Sequence, residues 1–310
     1  MIPMPFAMSL RGERIAYRFV DPQTPSNLPP LVLVQGLGLS GRFWFDMPER
    51  VAEHPTQGRR VIVLDNVGTG RSDTMNGFRS IGSMGDDIIA VLDDAGEASA
   101  VVCGVSMGGM ISQEAALRHP RRIRGLILIA TTPGFPLGRP PGAKALAALV
   151  RLPFEDRGGG RIFSFLLLPR SEWGRARELF AAWPEAFRVD RTPPSIFFRQ
   201  LLAVAFHSTG SRLGDLRCPV VVITGTEDVL VPPINSRKIV NRVPVGDLEL
   251  LPGVGHAVPI LDRDVVTRGL QMLARLERES LTRPEKVAKR SKVASSFRLA
   301  IPRRFTHSAT

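Results

Sequence analysis

Cysteine is scarce in this 310-residue chain: there are two, Cys103 and Cys218. Both lie in apolar, strand-like runs. That argues against a disulfide framework or a cysteine-built metal site and for small core residues in a reducing compartment. Long apolar runs are also missing, and none reaches the ~18 residues of a membrane-spanning helix. The opening MIPMPFAMSL has no basic region ahead of an apolar stretch, so no secretory signal is expected and the default location is cytoplasmic. There is no internal repeat. Acidic residues are the scarcer charge, 29 Asp and Glu against 41 Lys and Arg, a net charge of +12.

Half of that surplus is concentrated at one end. Residues 276–310 carry nine Lys or Arg against three Glu, with several breakers and little helical periodicity. The stretch reads as a basic, solvated, disordered tail. Phe297, Leu299, Ile301 and Phe305 stand among its arginines. They keep open peripheral contact with an acidic lipid surface, whereas a nucleic-acid role rests on this tail alone and is not expected.

Five apolar, β-branched runs recur along the chain: LVLVQ (31–35), VIVLD (61–65), AVVCGV (100–105), GLILIA (125–130) and PVVVITG (219–225). Continuous runs of this kind are buried on both faces, as in a parallel sheet. Helical patterns lie between them at 84–96 and 108–120, with Gly96 placed for a C-cap and Pro120 for a stop. The alternation predicts an α/β fold, a mostly parallel, doubly wound sheet with helices on both faces. GERIAYRFV (12–20) alternates instead and reads as an antiparallel edge strand. Between 134 and 215 the pattern gives way to Pro- and Gly-rich turns and short apolar segments. The expected organisation is a core of residues 1–133 and 216–275, a helical cap of residues 134–215 inserted before the penultimate core strand, and the tail from 276. The cap's aromatics, Trp173 and Trp183 among them, fit a core of its own or the wall of a pocket.

Residues 103–109 read CGVSMGG. This is G-x-S-x-G with a strand before it and a helix after it, the setting in which a tight turn exposes a serine hydroxyl at the carboxyl edge of a sheet. Ser106 reads as a nucleophile at a helix N-terminus, where backbone N–H groups face a developing oxyanion. The competing reading is an ordinary serine N-cap. A serine nucleophile needs a base. Of the five histidines, His256 follows a strand-like run and a Gly-rich turn in LELLPGVGHAVP, a loop at the sheet's carboxyl edge. His54, His119, His207 and His307 sit in a polar stretch, a helix end, the cap and the tail. An acid must orient the base, and VVVITGTEDVLVPP offers Asp228 and its neighbour Glu227 just past a strand. In LVLVQGLGLSG, Gly36 and Gly38 form a turn that can bring a backbone N–H to the nucleophile, with the N–H of Met107 as a second donor.

Four motifs, QGLGLSGRFW, DNVGTGRSD, GVSMGG and GTEDVLVPP…GVGH, resemble the α/β-hydrolase superfamily, in particular its serine esterase, perhydrolase and enol-lactonase-like members. The resemblance spans about residues 12–275. It implies Ser106 as nucleophile, His256 as general base and acid, Asp228 rather than Glu227 as orienter, and the backbone N–H groups of Leu37 and Met107 as the oxyanion hole. The chain departs from the pattern at Gln35, where histidine is usual, and at Val67, where arginine is common. The implied function is hydrolysis of a carboxylic ester or lactone with an apolar part, through an acyl-enzyme, with neither metal nor organic cofactor. Carbon–carbon hydrolysis, perhydrolysis and acyl transfer share this triad, and a small-molecule binding protein shares the fold.

Overall fold

The computed structural model describes residues 4–154 and 160–282. The basic stretch beyond 282 and His307 lie outside the described residues. Eight strands form one sheet: β1 (Phe6–Met8), β2 (Arg14–Val20), β3 (Leu31–Val34), β4 (Val61–Leu64), β5 (Ala100–Val105), β6 (Ile123–Ile129), β7 (Val220–Gly225) and β8 (Gly246–Leu251), in the order β1-β2-β4-β3-β5-β6-β7-β8. Strands β4 to β8 in that row, β3 included, pair in parallel, whereas β2 is antiparallel to both of its neighbours.

The apolar runs are strands because each buries both of its faces. Val32 and Val34 enter one core layer, and Leu31 and Leu33 enter the other. Helices α1 (Met47–Ala52), α2 (Ile81–Asp94) and α3 (Met107–Arg118) follow β3, β4 and β5. Ile88 and Leu92 of α2 pack with Met110 and Ile111 of α3 against Val32, Val102 and Leu128. Ser80 caps α2 by accepting the Ser83 N–H at 3.1 Å, and Gly96, at φ +71°, ends it.

Between β6 and β7 lie α4 (Ala143–Arg151), α5 (Arg161–Leu167), α6 (Ala176–Leu179), α7 (Trp183–Val189) and α8 (Pro194–Ala205). The insertion therefore precedes the penultimate strand. After it come α9 (Ile234–Val240), α10 (Val258–Leu261) and α11 (Val265–Thr282). Val265, Leu270, Leu273 and Leu276 of α11 cover the second face of the sheet, over Ile127 and Val221.

Two expectations change. The strand of residues 14–20 is not an edge, because the three-residue β1 pairs outside it, Ala7 opposite Ile15. A strand that short leaves no periodicity to read. Residues 276–282, counted with the tail, are helical, and Leu276 is buried, because the apolar stripe of α11 continues through them. Cys103 and Cys218 are buried free thiols, and burial pushes Cys218 up to about 12.

Candidate active site

The chain runs from β3 outward to β4 and then returns to place β5 on the other side of β3. At such a reversal the loops leaving the two strands diverge and open a crevice at their carboxyl ends. The Gln35-Gly36 turn leaves β3 there, and Ser106 leaves β5. The elbow is tight. Ser106 has φ +54° and ψ −119°, a conformation that side chains rarely adopt. Its N–H donates to the Ile129 carbonyl at 2.9 Å, and its carbonyl accepts from Thr131 Oγ1 at 2.7 Å. The flanking glycines permit the turn: a Cβ on Gly104 would fall 2.2 Å from the Gly108 carbonyl oxygen, and one on Gly108 would fall 2.1 Å from that of Val34. Although α3 begins at the next residue, the serine side chain makes no capping bond. The hydroxyl is left on the wall of a cavity.

His256 lies on the loop after β8 and is buried. Its Nδ1 is 2.7 Å from Asp228 Oδ2. The other carboxylate oxygen accepts the N–H groups of Leu230 at 2.9 Å and Val231 at 2.7 Å. Asp228 is thus held in one orientation by three donors, while Glu227 points outward and is exposed. Adjacent residues on the turn after β7 diverge, so of the two acids Asp228 is the one that meets His256. Ser106 and His256 line the same cavity.

The turn after β3 touches the elbow: a Cβ on Gly36 would fall 3.3 Å from Ser106 Cβ. Among the described residues, nothing accepts from the N–H of Leu37 or of Met107. The turn is braced from three directions. Asn66 Nδ2 donates to the Gln35 carbonyl at 2.9 Å, and the buried Asp65 carboxylate accepts the Gly41 N–H at 2.7 Å. Gln35 Oε1 accepts the Gly36 N–H at 3.0 Å. From the insertion, Gln200 Oε1 accepts the Gly38 N–H at 2.9 Å, and its Nε2 donates to the Val67 carbonyl at 3.1 Å. Val67 itself is fully buried in the core. The role of Gln200 was not read from the sequence. Asp65 and Asn66 stand in the motif DNVGTGRSD, whose work is now visible as support of the neighbouring turn.

The cavity has a volume of about 460 Å³. Its wall is mostly apolar, with Phe43 from the core and Leu149, Phe163, Trp183, Phe187, Phe197 and Leu201 from the insertion. Both readings of the aromatics hold for Trp183. It packs on Phe180 with ring centroids 5.0 Å apart, and it also lines the cavity. Trp173 does neither; it is half-exposed and donates to the Leu168 carbonyl. Among the described residues, no group of three His, Cys, Asp or Glu is placed to hold a metal.

The remaining described histidines lie elsewhere. His54 Nδ1 accepts local backbone N–H groups, and His119 pairs with Asp86 at 2.7 Å. His207 is buried where the insertion rejoins the core, and neither ring nitrogen has a hydrogen-bond partner. Burial, with a smaller contribution from the Arg212 charge, pushes its pKa down to about 3. Below the ordinary histidine pKa the unfolded chain takes up a proton that the folded one refuses, so stability falls as pH drops from about 6.5. Acidification from pH 7 to 5 should cost about 2 kcal/mol through this group. His207→Leu should flatten the pH dependence of thermal unfolding over that interval; an unchanged profile would assign the acid sensitivity to other groups.

A sequence profile of the alpha/beta hydrolase fold matches residues 29–262. The chain belongs to the α/β-hydrolase family. A relative from Azorhizobium caulinodans named "Putative carbamate hydrolase RutD" is 31% identical over 255 residues, covering 76% of this chain and 87% of the relative. Among solved structures, Est816, described as an N-acyl homoserine lactone degrading enzyme, is 25% identical with a TM-score of 0.69, covering 86% of this hydrolase and 99% of that chain. The enol-lactonase from Burkholderia xenovorans LB400 shares the fold, with a TM-score of 0.72 at 21% identity, covering 87% of this chain and all of that one (100%). No described helix of this α/β-hydrolase is long and apolar enough to cross a membrane.

Proposed function

We propose that this α/β-hydrolase cleaves a carboxylic ester or lactone with an apolar acyl part, through an acyl-enzyme on Ser106. The observation that carries the reading is the 2.7 Å pair of His256 Nδ1 and Asp228 Oδ2 on a cavity shared with Ser106. Asp228 accepts only, so the Nδ1 proton stays on His256 and Nε2 is left as the base for the serine hydroxyl. Ser106 Oγ attacks the carbonyl carbon, and its proton passes to Nε2. The carbonyl oxygen becomes an oxyanion, for which the N–H groups of Leu37 and Met107 are the donors. The imidazolium returns the proton to the leaving alkoxide. Water, deprotonated by the same nitrogen, then releases the acid and restores the serine.

A carbamate carbonyl is open to the same attack, and the names of several relatives point there. The wide, apolar cavity favours a larger acyl group. Carbon–carbon hydrolysis, perhydrolysis and acyl transfer differ in the acceptor or the bond cleaved, and product analysis with competing acceptors separates them. A binding protein on this fold has no need of an activated serine. Treatment with a fluorophosphonate should therefore give one adduct, at Ser106, by mass spectrometry, and His256→Ala should label at least about a hundredfold more slowly. Folded wild-type protein that stays unlabelled would overturn the reading.

A further inference from the structure

Gln35 is the position at which this chain departs from its family, and its side chain is only partly accounted for. The residue is 5% exposed and lines the cavity. Its amide has a defined orientation, because the Gly36 N–H can only donate and must face Oε1, at 3.0 Å. The NH₂ corner of the same plane then points away from the turn. Among the described residues, Nε2 donates to nothing. The nitrogen is not sealed in the core; it reaches the cavity, where an acceptor on a bound substrate can meet it.

We propose that Gln35 Nε2 is a specificity donor that binds a second carbonyl on the acyl side of the substrate, close to the scissile one. The inference rests on the hydrolase reading above and narrows it to 3-oxoacyl esters and lactones over plain fatty esters. Placement sets the reach. A Cβ on Gly36, the next residue, would fall 3.3 Å from Ser106 Cβ, so a group meeting the Gln35 amide lies within a few bonds of the carbonyl under attack. The apolar remainder of the cavity takes the chain beyond it. The donor leaves the oxyanion hole to the two backbone groups and acts on which acyl group is admitted.

The test compares ethyl 3-oxohexanoate with ethyl hexanoate, followed by pH-stat, for wild type, Gln35→Glu and Gln35→Met. Gln35→Glu keeps an oxygen for the Gly36 N–H and removes the NH₂ donor; Gln35→Met keeps length and removes both. Wild type should prefer the 3-oxo ester in kcat/KM. Both variants should lower the ratio of the two kcat/KM values by about ten- to a hundredfold, the size expected for a site hydrogen bond left unmade. A collapsed turn would lower both esters together and leave the ratio in place, which would overturn the proposal. So would a wild-type enzyme that treats the two esters alike, at any rate. Fluorophosphonate labelling of Ser106 in all three proteins separates the two ideas: normal labelling with an unaltered ratio removes the role of Gln35 alone, whereas unlabelled wild type removes the triad as well.

Discussion

Ser106→Ala should lower kcat for an ester such as 4-nitrophenyl butyrate by about 10⁴- to 10⁶-fold and leave the folded state in place. The size follows from the proposed mechanism, in which without Oγ no acyl-enzyme forms and only binding and the backbone donors remain. Retention of the fold follows from the geometry. The Ser106 side chain caps nothing, and the bonds that hold the elbow run through its backbone to Ile129 and Thr131. Alanine keeps the Cβ that already occupies this turn, so the strain at φ +54° is the same in both proteins. Stability should move by less than about 1 kcal/mol. The pair of measurements is steady-state hydrolysis and thermal unfolding by circular dichroism. Activity within tenfold of wild type would remove Ser106 from the chemistry; lost activity with a collapsed melting curve would make it a folding residue.

The parallel sheet was legible because its strands bury both faces, so LVLV, VIVL and VVVITG stand out as unbroken apolar runs. The elbow was legible because glycine at two positions is a packing requirement of strand against helix. What escaped was short or distant. β1 has three residues, too few for a period. Several helices of the insertion run four to seven residues, and their apolar positions blur with turns. Gln200 supports Gly38 from 162 residues away, a pairing that no local pattern carries. At Gln35 the sequence shows only that histidine is missing. The fold shows the carboxamide accepting the Gly36 N–H, so that half of the side chain braces the turn and half is left for something else. The choice between Glu227 and Asp228 lies between these cases. Both acids occupy the correct strand end, and only the direction of the turn separates them.

Asp228→Asn should be nearly as damaging as loss of the serine, by about 10³- to 10⁴-fold in kcat, although the change is one atom. In wild type, Oδ1 accepts two backbone N–H groups, from Leu230 and Val231, and Oδ2 faces His256 Nδ1. An asparagine in the same place must keep its oxygen toward the two backbone donors, because its NH₂ would oppose them. The NH₂ then faces His256 and donates to Nδ1. A neutral imidazole that accepts at Nδ1 carries its proton on Nε2, and that nitrogen can no longer take a proton from Ser106. The carboxylate charge that stabilises the imidazolium is lost as well. Both backbone bonds survive, so the melting temperature should move little. Asp228→Ala leaves the Leu230 and Val231 N–H groups without their acceptor and should also destabilise, by about 1–3 kcal/mol. Comparing the two variants separates orientation of the base from support of the loop. A fully active Asp228→Asn enzyme would mean that His256 is oriented by another group or is not the base.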